Sequence, residues 1–171
     1  MVRWRPAPSS LRAAFIAASL AWAVLLVTAP FLSSRAHASP LASVLILGVY
    51  SLGSLICHQL PERSYHMWTA QMPVCARCAG IYVGAVLGAV AGAVRTAKSV
   101  RHTGPEVAQG CGPAKVARVA LALAFAPTLL TLVYEWMTVE MPSHAIRAAA
   151  GLPIGLVVAW LVVAAADNRV D

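Results

Sequence analysis

The chain has 171 residues, 60% hydrophobic and only 11% charged, and its mean hydropathy is +0.74. That leaves too few charges to cover a soluble globule, so the chain reads as a membrane protein whose first partner is the lipid bilayer. The net charge of +7 does not mark a nucleic-acid binder, because the basic residues flank apolar runs and line no aromatic-studded groove. No Gly-rich phosphate loop, dinucleotide fingerprint or serine nucleophile elbow occurs, which removes the ordinary soluble enzyme classes.

A bilayer core of about 30 Å takes about 20 apolar residues as a helix. Five stretches approach that length, near 11–32, 40–57, 79–94, 116–137 and 145–166. The fold class expected is all-α: one integral membrane domain, a polytopic transmembrane bundle of about five helices in the inner cell membrane.

The first stretch has a second reading. Arg3, Arg5 and Arg12 precede it and "AHASP" follows, which resembles a signal-peptide cleavage site after Ala38 and would leave four helices. The apolar run exceeds a usual signal core, which favours a retained helix.

After the second stretch comes the motif loop 57–78, "CHQLPERSYHMWTAQMPVCARC", with three of the four cysteines and two of the five histidines. In the third stretch Gly80, Gly84, Gly88 and Gly92 recur every four residues, and Gly151 and Gly155 repeat the spacing in the fifth. Such stripes let helix backbones approach and argue for close packing, not for chemistry. Between the third and fourth stretches, residues 95–115 read as a mobile loop with Gly, Pro and charges but no apolar period, and its Cys111 reads as incidental.

If all five stretches cross, alternation brings the end of the second, the start of the third, the end of the fourth and the start of the fifth to one face. Cys57, His58, Cys75, Arg77, Cys78, Glu135 and Arg147 would then converge. A carboxylate inside an apolar run costs roughly 2.5–3.5 kcal/mol on insertion scales, so Glu135 calls for a partner, with Arg147 or Arg77 the candidates. Arg147 alone also suits a snorkelling anchor.

The pair "CARC" at a helix start favours thiolate, through free backbone N–H groups and the positive end of the helix dipole. Such a pair serves either as half of a tetrahedral metal site or as a redox dithiol. The ligand set expected is Cys57, Cys75 and Cys78 with His58 or His66, and Zn2+ suits it best. A catalytic centre would add Glu135 as general base, with Arg77 or Arg147 holding an anionic lipid or small-molecule group. Two other readings stand beside it: a membrane thiol-disulfide oxidoreductase using Cys75 and Cys78, and a non-catalytic scaffold subunit. Oligomeric state is left open.

The blocks "CHQ", "ERS" and "QMPVCARCAGIYVG" closely resemble the signature of a family of small prokaryotic membrane proteins, the domain of unknown function numbered twenty eighty-five. Its pattern is matched by Cys57, His58 and Gln59, by Arg63 and Ser64, by Pro73 through Tyr82, by Glu135, and by "RAAAG" from Arg147. The resemblance covers roughly Leu41 to Gly155; it implies that the motif is a unit and implies no activity. Ala79 stands where Thr is usual, and Glu135 with Trp136 where Asp-Gly is expected, so a role needing that hydroxyl or a shorter carboxylate is not carried over. Five-span alternation puts Arg3, Arg5, Arg12, Arg63, Arg77 and Arg147 on the motif side, and Arg35, Arg95, Lys98, Arg101, Lys115, Arg118 and Arg169 on the other. That near-even division leaves sidedness undecided.

Overall fold

Prolines open three of the helices. α1 (Pro8–Ser33), α2 (Pro40–Ile56) and α4 (Pro113–Thr138) each begin on one, where a fixed φ and a missing N–H cost nothing. Ser39 caps α2 by accepting a hydrogen bond from the Ala42 N–H at 3.3 Å. α3 (Ala76–Ser99) and α5 (His144–Asp167) complete the set.

The computed structural model describes residues 8–35, 39–99 and 113–167. The cleavage site expected after Ala38, Cys111 and most of the loop expected at 95–115 lie outside the described residues. Where that loop is described it is helical: α3 continues to Ser99 and α4 begins at Pro113. Among the described residues, four helices are long and apolar enough to span a bilayer, at Ser10–Ser33, Ala76–Arg95, Lys115–Thr138 and His144–Ala166. The chain is therefore an all-α multi-pass membrane bundle.

The glycine stripes set the central helix pair. α3 and α5 run parallel, with Gly80 against Ala148, Gly84 against Leu152 and Gly88 against Leu156. The approach is backbone to backbone: a Cβ on Gly84 would sit 2.1 Å from the Leu152 carbonyl oxygen, and one on Gly155 only 1.8 Å from that of Ile81. No side chain fits there, so glycine is required by close approach. α4 lies antiparallel to α5, tied by the Thr128 hydroxyl donating to the Ala150 carbonyl at 2.7 Å.

α1 corrects the alternation expected from sequence. Its Trp22 meets Tyr82 edge-on at 6.0 Å, while Phe15 and Ile16 pack with Ala85, Ala89, Ala159 and Val163. The start of α1 therefore lies beside the ends of α3 and α5, and its own end lies at the motif. α2, only 17 residues long, starts a few residues later and terminates at Cys57, again at the motif. It does not cross. Its face bearing Leu41, Val44, Leu47 and Leu55 is exposed, an apolar surface suited to lipid at the membrane boundary. Hydropathy could flag α2 as apolar but not state where it lies.

The expected motif loop is an ordered unit. A short 3-10 turn (Pro61–Arg63) leads into β1 (Ser64–Met67), which pairs antiparallel with β2 (Ala70–Cys75). Trp68 and Thr69 make the turn at φ 51° and 71°, the left-handed pair that a two-residue hairpin needs. Val74 and Ser64 are fully buried, and Met72 joins Leu26 and Ala29 of α1 and Val49 of α2 in one core. Phe31 of α1 closes on Trp68 at 5.2 Å. Hairpin and α2 thus cap one end of a four-helix bundle and position everything that follows.

Candidate metal centre

Cys57 ends α2 in extended backbone, its N–H still bonded to the Gly53 carbonyl at 2.9 Å. That conformation turns the thiol inward, where its sulfur accepts a hydrogen bond from the Cys75 N–H at 3.3 Å. Gln59, at φ 50°, reverses the chain and braces the turn: its Nε2 donates to the Tyr50 carbonyl at 2.8 Å and to the Pro73 carbonyl at 2.7 Å. The Tyr50 hydroxyl donates to the Gln71 carbonyl. The hairpin is therefore held against α2 through the carbonyls of Gln71 and Pro73, the second by way of Gln59.

Cys75 is the last residue of β2 and Cys78 lies in the first turn of α3. The sulfurs of Cys57, Cys75 and Cys78 all lie within 4.8 Å of one another. All three cysteines are free thiols, one buried and two half-buried. Hydrogen bonding from the Cys78 thiol, opposed by burial and helped by the N–H groups of Cys78 and Arg77 and by the Cys57 thiol, lowers the Cys75 pKa to about 5. Because the thiolate is the reactive form and the pKa is depressed, alkylation of Cys75 in metal-free protein should persist at neutral pH and be lost only as pH falls through about 5. Iodoacetamide labelling followed by peptide mass spectrometry across that range checks this; a rate that collapses below about pH 8, as for an ordinary thiol, would refute it.

Neither expected histidine joins the thiol cluster. Among the described residues the group of possible ligands is cysteines alone. His66 sits opposite Gln71 in the ladder, toward the hairpin tip and exposed. His58 follows Cys57 directly, and neighbouring side chains on extended backbone point apart; it lines an open cavity of about 390 Å³ together with all three cysteines, Arg63 and Arg77.

Behind the thiols lies the charge cluster that the sequence anticipates. Glu135 is clamped by both candidate partners: its Oε1 accepts from Arg77 Nη2 at 2.8 Å and from Arg147 Nε at 3.1 Å, and its Oε2 lies 3.0 Å from Arg147 Nη2. Arg77 also donates to the Thr131 hydroxyl at 3.2 Å. Arg147 is 3% exposed and Glu135 7%. With both carboxylate oxygens engaged by guanidinium groups, Glu135 bridges α3, α4 and α5. One participant escaped the sequence reading of the site: Thr131 gave no signal in an apolar run. Arg63, matched in the "ERS" block and counted on the motif side, lines both the thiol cavity and a smaller one with Cys75, Arg77 and Arg147.

A family profile described as "Predicted membrane protein (DUF2085)" matches residues 57–161, beginning at Cys57 and including the hairpin, α3, α4 and the Arg147 region. An uncharacterized protein of Methanocaldococcus jannaschii, MJ1492, is 39% identical over 62 residues, which is 36% of this chain and 40% of that protein. The matched region thus spans about two fifths of that relative's length. No solved structure matches.

Proposed function

This chain belongs to the family of predicted membrane proteins DUF2085, and from that premise we propose that Cys57, Cys75 and Cys78 hold one zinc ion at the membrane boundary, with a fourth position open to the adjoining cavity. The observation that carries the reading is the mutual approach of three sulfurs from three separate local structures: the end of α2, the end of β2 and the first turn of α3. At about 2.3 Å per Zn–S bond, the sulfurs of a tetrahedral centre sit about 3.8 Å apart. The 4.8 Å bound needs only a small contraction. Three protein ligands with an open position are the pattern of a zinc site that takes a water or substrate, and the cavity of about 390 Å³ supplies the room, with His58 on its wall as a proton carrier or a fourth ligand.

The thiol-disulfide reading is favoured by the closeness of the Cys75 and Cys78 sulfurs at a C-x-x-C helix start, where hydrogen bonding lowers the Cys75 pKa. Metal analysis of purified protein separates the two. Zinc that is stoichiometric with the chain and lost on replacing a cysteine supports the centre, whereas metal-free protein with a reducible Cys75 to Cys78 disulfide overturns it.

The corrected path of α1 supports an outward-facing site. With four crossings, Arg12, Arg95, Lys98, Lys115 and Arg118 gather at the end away from the motif, and the sequence runs on from the same helix ends through Arg3, Arg5, Arg101 and Arg169, nine in all. The motif end has Arg35, Arg63, Arg77 and Arg147, the last two paired to Glu135. The positive-inside rule then puts the motif away from the cytoplasm. In that compartment unligated thiols tend to pair, and a bound metal would hold them reduced. A green fluorescent fusion at the C-terminus should fluoresce, and alkaline phosphatase inserted at the hairpin tip, after Thr69, should be active. The reverse pattern would refute the orientation.

A further inference from the structure

Beside the thiol cavity lies a smaller one of about 50 Å³, walled by Arg63, Cys75, Arg77 and Arg147. Three arginines meet there, and the carboxylate of Glu135 pairs with only two of them, Arg77 and Arg147. Arg63 has no carboxylate partner among the described residues, and its Nε is buried without an acceptor. Arg77 Nε is in the same condition. Arg147 Nη2, on a side chain 97% buried by its 3% exposure, keeps only the ion pair at 3.0 Å and makes no hydrogen bond.

Buried donors almost always find an acceptor, and charged ones pay most when they do not. Here two buried cationic N–H groups, Arg63 Nε and Arg77 Nε, lack one on residues that wall the same small space, and Arg147 Nη2 has only its ion pair. The excess of positive charge, three against one, asks for an anion as well as for acceptor atoms. A planar guanidinium fork matches the oxygens of a phosphate or carboxylate two at a time, and arginine is the residue suited to that task.

We propose that Arg63, Arg77 and Arg147 form a binding site for a phosphate-type oxyanion, either free phosphate or the phosphate of a lipid headgroup. Local structure holds each donor in place. Arg63 closes the 3-10 turn next to fully buried Ser64, whose hydroxyl donates to the Leu60 carbonyl at 3.0 Å. Arg77 and Arg147 are fixed by Glu135, so the carboxylate positions the cradle. Arg63, Cys75 and Arg77 also line the larger open cavity, so a ligand entering from the membrane boundary would stand directly against Cys75. The site goes beyond the metal reading and does not depend on it.

The test uses the full chain, stripped of metal and purified in a phosphate-free maltoside detergent. Titrating inorganic phosphate at constant ionic strength, and in a second arm dioctanoyl phosphatidic acid, should give saturable heat in at least one arm. Sulfate should compete and chloride should not. Arg63→Gln should weaken binding about tenfold or more, and Arg63→Lys, which keeps the charge but not the fork, should fall between. Arg63 lies outside the membrane-spanning helices, and an unchanged circular dichroism spectrum and melting curve would show that the variant folds. Phosphate binding alone identifies the free anion as source; binding of the lipid alone identifies a headgroup. Absence of saturable binding in both arms, or binding indifferent to Arg63→Gln, would overturn the proposal whatever the metal content of the protein.

Discussion

Replacing Glu135 with alanine is expected to destabilise the bundle by about 3–5 kcal/mol, the cost of removing one partner from a buried charge cluster. The carboxylate bridges Arg77 of α3 and Arg147 of α5 from its own place near the end of α4. Without it, two guanidinium groups would stay in a poorly hydrated end of the bundle with Thr131 as the remaining side-chain acceptor. Glu135→Gln keeps the shape and an acceptor oxygen but removes the charge, so it should cost less than alanine and more than a surface change. Reversible unfolding in mixed micelles measures both. A loss under about 1 kcal/mol for the alanine variant would mean that water already screens the cluster, as in an exposed ion pair, and the clamp would fail as an explanation. A triple replacement of Arg77, Glu135 and Arg147 by apolar residues should recover much of the loss, because no unpaired charge is then left in the cluster.

That cluster was legible in the sequence because a carboxylate in an apolar run is expensive and few cations are near enough to relieve it. The spans of α3, α4 and α5 were legible for the same reason, since hydropathy reports directly on lipid exposure. α2 was not, because a 17-residue apolar helix has the same composition whether it crosses or lies at the boundary. Treating it as a crossing reversed α1 and hid the charge asymmetry between the two ends. The hairpin was missed because its turn uses Trp68 and Thr69 at positive φ, where sequence rules expect Asn or Gly. Once "SYHM" and "AQMPVC" pair, Ser64 opposes Cys75 and His66 is carried toward the tip, so a histidine midway along the sequence is not midway in space. The three thiols converge because Cys57 and Cys75 each end a regular element, and such ends are what polar loop residues share in a helical bundle.

The sharpest consequence concerns that convergence. Purified protein should contain about one zinc per chain, and Cys57→Ser, Cys75→Ser and Cys78→Ser should each remove nearly all of it, because a centre with three protein sulfurs has none to spare. His66→Ala should leave the content unchanged, since His66 is exposed and opposite Gln71. His58→Ala is the informative case. A histidine that swings from the cavity wall to complete the tetrahedron would weaken binding on removal, whereas retained zinc would leave the fourth position to water or substrate and favour a catalytic centre over a closed structural one. The pH dependence has a fixed sign: ligands bind as thiolates, so affinity should fall as pH is lowered and protons compete. Cys75, with its pKa lowered to about 5, should resist that competition until the pH nears that value. If single cysteine replacements leave zinc in place, the metal is held elsewhere. If the intact protein carries no metal and Cys75 joins Cys78 reversibly, the site is one of exchange, in which the Cys75 thiolate attacks a substrate disulfide and Cys78 then expels the remaining substrate thiolate to leave the Cys75–Cys78 disulfide.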